Sequence, residues 1–335
     1  MALIFCDDGE GGTSAYAWTE TTSTGHSTNA KDGTYAINQT DGAFYNKKVL
    51  GSTYTELFFS IYFLFRSSIS HRLLSWYSAG TTELGSVRWN ATSKLFEIYT
   101  GTTLQATGTA VQQATPQGGS WFNLNIRVLL HGSTGEIAVR HEGSTSADVV
   151  FTGNTLPSGS NMNAFQVFST TSHSSEADDF WCNDTSGSVN NSWPGVKRSF
   201  TQFPTGKSAT NDAFTADSGS NKYDRINEQP TNAASFIYSE STGQKQGLTY
   251  AAPSSLTGVS VSALVINDVS EKISSGGLKQ GVRMGGTDYP SSTKSLKTSI
   301  TRESQLQHYL EVRPTDSAAW DTSTDNPESY LEKTA

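Results

Sequence analysis

The sequence predicts an all-β protein, in which an N-terminal β-sandwich or jelly roll is followed by a second, smaller β-rich domain. Many short segments alternate between apolar and polar residues with the two-residue period of strands. Turn-forming residues separate these segments at regular intervals, and hardly any window has a helical period. The chain has 335 residues, of which only 35% are hydrophobic and 30 are glycine. This composition favours short strands and many loops over helices.

Residues 121–143 give the clearest signal, and we expect them to lie at the centre of the sandwich. Apolar residues recur at every second position from Phe122 to Val128, and the polar residues between them predict one buried face and one wet face. Gly132 and Gly135 then provide a tight turn, after which alternation resumes in residues 136–140. Two alternating runs around such a turn predict an antiparallel hairpin.

The other N-terminal strands follow in order. The first is expected at residues 2–6, and short polar strands follow at 15–19, 33–37 and 43–49. Residues 57–66 are rich in aromatic residues on both faces and therefore predict a central strand. Further strands are expected at 71–78, 85–90, 95–101, 149–153, 164–169 and 177–184.

The chain is expected to divide into domains 1–192 and 193–335. Residues 187–203 contain Pro194 and Gly195, which are typical of a linker. Alternation returns at 259–268, and strands are also expected at 281–290 and 308–314. Residues 326–333 predict the one short helix, with Asn326 as its cap and Pro327 at its first position.

Several classes of function are not expected. The net charge is −8 and no basic run occurs, which argues against nucleic acid. The longest apolar run, at 57–65, is interrupted by Ser60, so we expect no membrane insertion. The first residues lack the basic region of a signal peptide, so folding in a reducing cytoplasm is expected.

The ordered set of N-terminal segments resembles the concanavalin A-like (laminin G-like) jelly roll, and most of all the version in virion structural proteins of tailed phages and prophages. The resemblance covers residues 1–190, and Asp178 and Asp179 run into a D-T-x-G-S-V-N-N-like turn at 184–191. Later segments resemble the second module of the same phage proteins. The segments are FCDDGEGG, DGTYAI, FFSIYFLF, GSVRWN, LFEIYTG, the 121–143 hairpin, FQVFS and DDFWCNDTSGSVNN, then GQKQGLTYAAPSSL, VSALVIND, GVRMGGTDY and EVRPTDSAAW.

In such a jelly roll the first and last strands lie side by side. Cys6 and Cys182 would then be on neighbouring strands, and we expect both thiols to be reduced and buried. The same pairing brings together acidic residues that could form a calcium site, and the alternative is that these carboxylates stabilise turns through hydrogen bonds. These residues are Asp7, Asp8, Glu10, Asp178 and Asp179. The resemblance transfers no ligand set, and no other cofactor is expected.

No catalytic residues are predicted. No E-x-D-x-E string of the glucanases with this fold occurs, and neither does a G-x-S-x-G or H-E-x-x-H motif. The histidines, at positions 26, 71, 131, 141, 173 and 308, are scattered and expected to be solvated. The tryptophans either stack on sugar rings or fill the core. We expect exposure of Trp89 and Trp193, as glycan or partner contacts, and burial of Trp181.

The leading hypothesis is a non-enzymatic structural component of a tailed-phage virion, in the tail or as a head decoration, assembled in the host cytoplasm. A carbohydrate-binding adhesin that contacts the host surface is the second hypothesis, and a polysaccharide-degrading enzyme is the third. Expected partners are other virion proteins, copies of the chain itself and host-surface glycans. The polar stretch 204–245, with aromatic residues such as Phe214 and Phe236, leads us to expect a trimer or ring.

Overall fold

A computed structural model of the chain describes residues 3–10, 17–21, 26–39, 44–65, 70–109, 120–157, 159–170, 175–219, 221–227, 234–251, 260–272, 275–299, 305–321, 325 and 327–335. The chain divides into two compact units, Met1–Phe200 and Thr201–Ala335. The division lies C-terminal to the boundary after residue 192 that the sequence suggested. The fold is all-β as predicted, and the helix among the described residues is a 3-10 turn at Tyr223–Arg225.

The first unit contains fifteen strands in its described residues. In chain order they are β1 (Leu3–Asp7), β2 (Glu20–Thr21), β3 (His26–Ser27), β4 (Ala36–Gln39), β5 (Phe44–Tyr54), β6 (Glu56–Phe65), β7 (His71–Ser78), β8 (Thr82–Asn90), β9 (Leu95–Thr100), β10 (Thr103–Thr107), β11 (Phe122–Leu129), β12 (Gly135–His141), β13 (Val149–Gly153), β14 (Met162–Thr170) and β15 (Ser175–Asn183).

These strands form two antiparallel sheets. Sheet 1 has the order β13-β12-β11-β6-β15-β4-β3, and β1 also pairs with β15. Sheet 2 has the order β10-β9-β8-β7-β14-β5-β2. One hydrophobic core contains residues from both sheets, as expected for two sheets packed face to face.

Aromatic rings join the two sheets at the middle of this core. Phe165 of sheet 2 stacks on Phe180 of sheet 1 at 5.1 Å between ring centroids, and it meets Phe59 edge-on at 5.4 Å. Phe5 of β1 contacts Trp18 at 4.9 Å. Each such ring contributes roughly 1.5–3 kcal/mol by burial.

The predicted central hairpin is confirmed. Strands β11 and β12 pair antiparallel, and β6 pairs with the other side of β11, so 57–66 is also a central strand as predicted. The predicted wet face of β11 is wrong, however, because Asn123 is 0% and Asn125 is 2% exposed. Residues 184–200, which we call the strap, contact this face of sheet 1 and belong to the first unit instead of forming a linker.

Strands β1 and β15 are neighbours, as predicted from the jelly-roll resemblance. Phe5 pairs with Cys182 and Cys6 pairs with Trp181, so the two cysteines face opposite sides of sheet 1, and neither forms a disulfide. Cys182 is fully buried in the core, whereas Cys6 is partly exposed. Burial raises the pKa of both thiols, which therefore remain protonated at neutral pH.

The second unit has its own strands. They are β16 (Gly206–Asp212), β17 (Thr215–Ala216), β18 (Ile237–Tyr238), β19 (Lys245–Thr249), β20 (Leu264–Val269), β21 (Gly277–Met284), β22 (Thr287–Pro290), β23 (Lys294–Ser295), β24 (Gln305–Leu310) and β25 (Glu328–Lys333). The main sheet has the order β16-β19-β25-β21-β22 with β23 beside β21, and β17–β18 and β20–β24 are two-stranded sheets.

The helix predicted at 326–333 is wrong. Residues 328–333 form β25, a central strand between β19 and β21. Tyr330 is fully buried over Gly281, where a Cβ would lie 2.5 Å from the tyrosine Cζ. Packing in the sheet therefore overrides the capping signal, and Asn326 itself lies outside the described residues. No helix among the described residues is long and apolar enough to cross a membrane.

Candidate functional site

The candidate site is the face of sheet 2 that points away from the core. Core-facing residues such as Leu74, Val87 and Phe165 alternate along the strands with polar residues that point outward. The strand register aligns six outward residues in one row across six strands: Tyr99, Ser86, Ser75, Gln166, Lys47 and Glu20. Such a row forms because residues paired across antiparallel strands share one face.

Arg88 lies over the ring of Tyr99 at one end of this row. Its guanidinium is 3.8 Å from the ring centroid of Tyr99, and its Nε donates a 3.1 Å hydrogen bond to Ser86. Tyr99 donates its hydroxyl to Glu97 at 2.9 Å, and Asn90 donates to the other oxygen of Glu97 at 2.7 Å. The planar groups are therefore held in fixed orientations, which lowers the entropy lost when a ligand binds.

A second cluster lies on the neighbouring strands. Arg72 forms an ion pair with Glu83 at 2.8 Å, and both side chains are about a quarter exposed at 26% and 23%. Lys47 lies over the ring of Tyr77 at 4.9 Å and is 3.7 Å from Glu20. We call the outward residues of both clusters, with Ser75 and Gln166, the mixed-charge face.

The charges on the mixed-charge face balance. Its cations are Lys47, Arg72 and Arg88, and its carboxylates are Glu20, Glu83 and Glu97. Burial and the neighbouring Arg72 lower the pKa of Arg88, while burial, followed by Glu83 and Glu97 respectively, raises the pKa of Tyr77 and Tyr99. At neutral pH the phenols therefore remain protonated and able to donate hydrogen bonds. Lys47, Ser75, Ser86 and Gln166 are at most 8% exposed, so a ligand would meet the partly exposed side chains of this face, such as Arg72, Arg88 and Tyr99. These groups can hydrogen-bond an uncharged polar ligand and pack against its apolar parts.

The tryptophans differ in whether the structure agrees with the exposure expected from the sequence. The predicted exposure of Trp89 is wrong, since the side chain is 0% exposed and packs edge-on against Phe96 at 5.4 Å in the core. Its strand position faces inward because it alternates with Arg88. Trp193 is partly exposed, and its ring lies 3.8 Å from the Arg140 guanidinium and 5.9 Å from Phe58. Trp181 is 9% exposed, as expected.

The acidic residues proposed for calcium are used in turns. Asp7 accepts the Trp18 Nε1–H at 2.5 Å and the Gly9 N–H at 3.1 Å, and burial followed by Asp8 raises its pKa to about 7. Asp8 accepts the N–H of Glu10 at 3.0 Å. Such hydrogen bonds correspond to the alternative to a calcium site, in which these carboxylates stabilise turns.

The remaining three carboxyls hold the loop before β4 and the strap. Glu10 accepts the N–H groups of Thr34 and Tyr35 at 2.7 and 2.8 Å. Asp178 accepts N–H groups of residues 31, 32 and 179 at 2.8, 3.3 and 2.8 Å, and Asp179 accepts that of Ser199 at 2.6 Å. Among the described residues, no group of three or more His, Cys, Asp and Glu side chains is arranged to hold a metal ion. Calcium binding stays a prediction from the sequence.

The expected solvation of the histidines is wrong at His71, which is 1% exposed and pairs with Trp89 on the core side of sheet 2. His141 contacts Asp148 at 2.7 Å with about a third of its side chain exposed. For His26 the structure describes the backbone but not the side chain, and residue 173 lies outside the described residues.

The sequence reading missed the mixed-charge face, although part of the signal was present. Ser86 and Arg88 alternate with apolar residues on β8, as Glu97 and Tyr99 do on β9. This alternation predicts a common outward face for β8 and β9. It does not predict that β14 inserts between β5 and β7, which brings Gln166 and Lys47 into the row.

The sequence matches no known family model, and no curated protein matches it. Among similar solved structures, galectin LEC-6 of Caenorhabditis elegans has 9% identity over 42% of this chain and 95% of the galectin, with a TM-score of 0.27. The carbohydrate-binding module CBM66 of Bacillus subtilis has 9% identity, coverage of 54% and 97%, and a TM-score of 0.29. The botulinum neurotoxin serotype C1 binding domain has 9% identity, coverage of 92% and 91%, and a TM-score of 0.30.

The chain spans only 16% of a similar sialidase and 22% of a bifunctional GH43-CE protein of Bacteroides eggerthii. At such identities and TM-scores these similarities assign no function.

Proposed function

We propose that this chain is a non-enzymatic component of a tailed-phage virion that binds carbohydrate on the host surface through the mixed-charge face. The adhesin hypothesis and the virion hypothesis are combined here because a receptor-binding component of a virion satisfies both.

The carbohydrate part of the proposal rests on the mixed-charge face. Its partly exposed Arg and Glu side chains present planar pairs of donors or acceptors, which suit the adjacent hydroxyls of a sugar ring. Tyr99, which is partly exposed, supplies a ring against which the apolar side of a sugar can pack. Three cations and three carboxylates leave no net charge, which favours a neutral glycan over a phosphorylated or acidic polymer.

The virion part rests on the resemblance of residues 1–190 and of the later segments to phage proteins. The second unit is proposed to provide contacts with copies of the chain and with other virion proteins. Phe236 and Tyr238 support this role, because they are 47% and 40% exposed and form a ring pair at 6.3 Å. Phe214 is 6% exposed and is therefore not available for such contacts.

Binding of the full chain to an array of neutral and acidic glycans tests the proposal. We expect retention of at least one neutral glycan and about ten-fold weaker binding after Arg88→Ala, a loss of about 1.4 kcal/mol. Arg127→Ala is the matched control. Arg127 also lies on a sheet with two carboxylate partners, Glu56 and Glu136, at 2.7 Å each, but it belongs to sheet 1. The control should bind within about two-fold of the wild type.

Failure to retain any neutral glycan would overturn the carbohydrate proposal, and so would equal losses in the two variants. Release of shorter products from a retained glycan would overturn the non-enzymatic part. Location of the chain in an electron-microscopy map of the virion tests the structural part, and its absence from purified particles would exclude it.

A further inference from the structure

The C-terminal end of the strap is held by two carboxyl groups of the first unit. Arg198 donates from Nε to Asp32 Oδ2 at 2.6 Å, and its Nη2 donates to the other oxygen of the same carboxylate. The next residue, Ser199, donates its backbone N–H to Asp179 Oδ1 at 2.6 Å. The strap therefore ends on a pair of aspartates, one in the loop before β4 and one in β15.

Asp179 occupies an unusual position in β15. Its φ is +50°, a left-handed conformation uncommon for residues other than glycine, and the pairing of β15 with β6 shifts register between Asp178 and Trp181. The side chain is 1% exposed, and its Oδ2 accepts no N–H or O–H within the described residues. Asp32 is the neighbouring group that could share a proton with this oxygen.

The charged groups around the pair do not neutralise two ionised carboxylates. Arg198 faces both aspartates, and Lys31 acts on Asp32 while its Nζ lies 5.0 Å from the Tyr62 ring centroid. Asp178 lies beside Asp179, and Tyr62 faces the pair with Glu142 near its hydroxyl. Burial, followed by Asp32, raises the pKa of Asp179 to about 8, whereas Arg198 holds the pKa of Asp32 below its ordinary value.

We propose that Asp32 and Asp179 form a proton-dependent latch that keeps the strap closed on sheet 1 and releases its C-terminal end as the pH rises. At neutral pH the proton on Asp179 lies between the two carboxyls, and Arg198 pairs with ionised Asp32. When this proton leaves to solvent, the buried carboxylate of Asp179 and the partly buried carboxylate of Asp32 share one arginine, which costs free energy through repulsion and desolvation. Opening of the strap relieves both costs because the carboxylates become solvated.

Release would uncover a polar layer on sheet 1. Beneath the strap, Asn123 donates to Ser60 at 3.0 Å and Asn125 donates to Asn123 at 2.6 Å. Trp181 lies 5.2 Å below the Lys197 amine and donates its indole N–H to Asn183 at 3.0 Å. The latch thus sets the pH above which this face becomes accessible. It is independent of the glycan proposal, which concerns the other sheet.

Trypsin cleavage of the full chain after Lys197 and Arg198 measures opening of the strap. Cleavage is followed by mass spectrometry from pH 7 to 9.5 and normalised at each pH to a small peptide substrate. We expect the normalised rate to rise about ten-fold in the wild type. Asp179→Asn should stay slow throughout, because its amide cannot ionise and can donate to Asp32. Asp316→Asn, which removes the exposed partner of Arg313 in the second unit, should behave as the wild type.

Arg198→Gln retains the site at Lys197 and should be cut rapidly already at pH 7. A wild-type rate that does not change with pH would overturn the latch, as would Asp179→Asn that follows the wild type. Near-ultraviolet circular dichroism shows whether Asp179→Asn folds. If this variant does not fold, hydrogen exchange of residues 184–200 in the wild type tests the latch instead. Protection that is unchanged between pH 7 and 9.5, after correction for intrinsic rates, would exclude the latch.

Discussion

Buried carboxyl groups are the residues whose protonation most affects this molecule. Asp268 in the second unit is partly buried and accepts hydrogen bonds from Ser270 and from Gln280. The same Gln280 amide donates to the carbonyls of Ile266 and Leu306 at 3.0 and 3.1 Å, which ties β21 to both strands of the β20–β24 sheet. Burial raises the pKa of Asp268 to about 6.

Asp268→Asn should stabilise the protein at neutral pH. The folded-state pKa lies above the unfolded value, so the stability from the protonated group is complete below about pH 4 and is lost as the pH rises through about 6. Asparagine avoids this loss and can keep both hydrogen bonds, with its oxygen toward Gln280 and its amide toward Ser270. We expect a gain on the order of 2 kcal/mol at pH 7 and little change at pH 4. Urea unfolding at both pH values measures it.

Asp316→Asn is the control for this experiment. Hydrogen bonding to the Ala318 N–H lowers the pKa of Asp316, so its contribution to stability is lost as the pH falls below about 4. Asp316→Asn should therefore show no gain in stability at pH 7 relative to pH 4. An Asp268→Asn variant whose stability follows the wild type at every pH would contradict the raised pKa.

At the scale of the element, the packing of strand β8 against strand β7 depends on Gly85, which has no side chain. A Cβ on Gly85 would lie 2.5 Å from Cζ2 of Trp76 and 2.5 Å from the carbonyl oxygen of Tyr99. The indole of Trp76 therefore packs directly on the backbone of β8. This contact also fixes the register that aligns Ser75 with Ser86 in the mixed-charge face.

Gly85→Ala should destabilise the first unit by about 1–3 kcal/mol, because one of these neighbours must move in a closely packed core. Gly51→Ala in β5 is the matched control, since a Cβ there meets nothing within 4 Å. It should be neutral or slightly stabilising. Thermal unfolding of both variants compares them, and equal melting temperatures would refute the packing argument.

The elements that the sequence predicts well are those with long alternation and strong turns. The 121–143 hairpin and the strand at 57–66 belong to this class because their apolar residues recur on one or both faces of sheet 1. Residues 328–333 show the opposite case, since Pro327 suggests a helix start while non-local pairing with β19 and β21 decides the structure. Local signals do not report which strands become neighbours.

The candidate site was less predictable for the same reason. Outward positions on β8 and β9 follow from alternation, but the mixed-charge face needs side chains from strands that are distant in sequence. Trp89 was expected to be exposed because polar residues flank it, and alternation places it in the core. Residues 187–203 were expected to be a linker because they contain Pro194 and Gly195, and only tertiary contacts such as that of Trp193 with Arg140 show how the strap packs.

At the scale of the whole molecule, the two sheets of the first unit differ in what covers them. The outer face of sheet 1 holds Phe58, Tyr62 and Trp181, which are 4%, 5% and 9% exposed beneath the strap. The outer face of sheet 2 is also buried at residues such as Ser75 and Gln166, but it has partly exposed charged side chains such as Arg72 and Glu83. This asymmetry is why we assign ligand binding to sheet 2 and regulation to sheet 1.

The strap should therefore be necessary for the stability of the first unit. A fragment of residues 1–200 contains the whole compact unit, and we expect it to unfold cooperatively in urea. A fragment of residues 1–183 retains every described strand of both sheets. It exposes Phe58, Tyr62 and Trp181 together with the polar layer that contains Asn123 and Asn125. We expect it to be less stable by on the order of 2–5 kcal/mol, because that apolar surface returns to water. Equal urea midpoints for the two fragments would show that residues 184–200 lie on sheet 1 without stabilising it, and would also remove the structural basis of the latch.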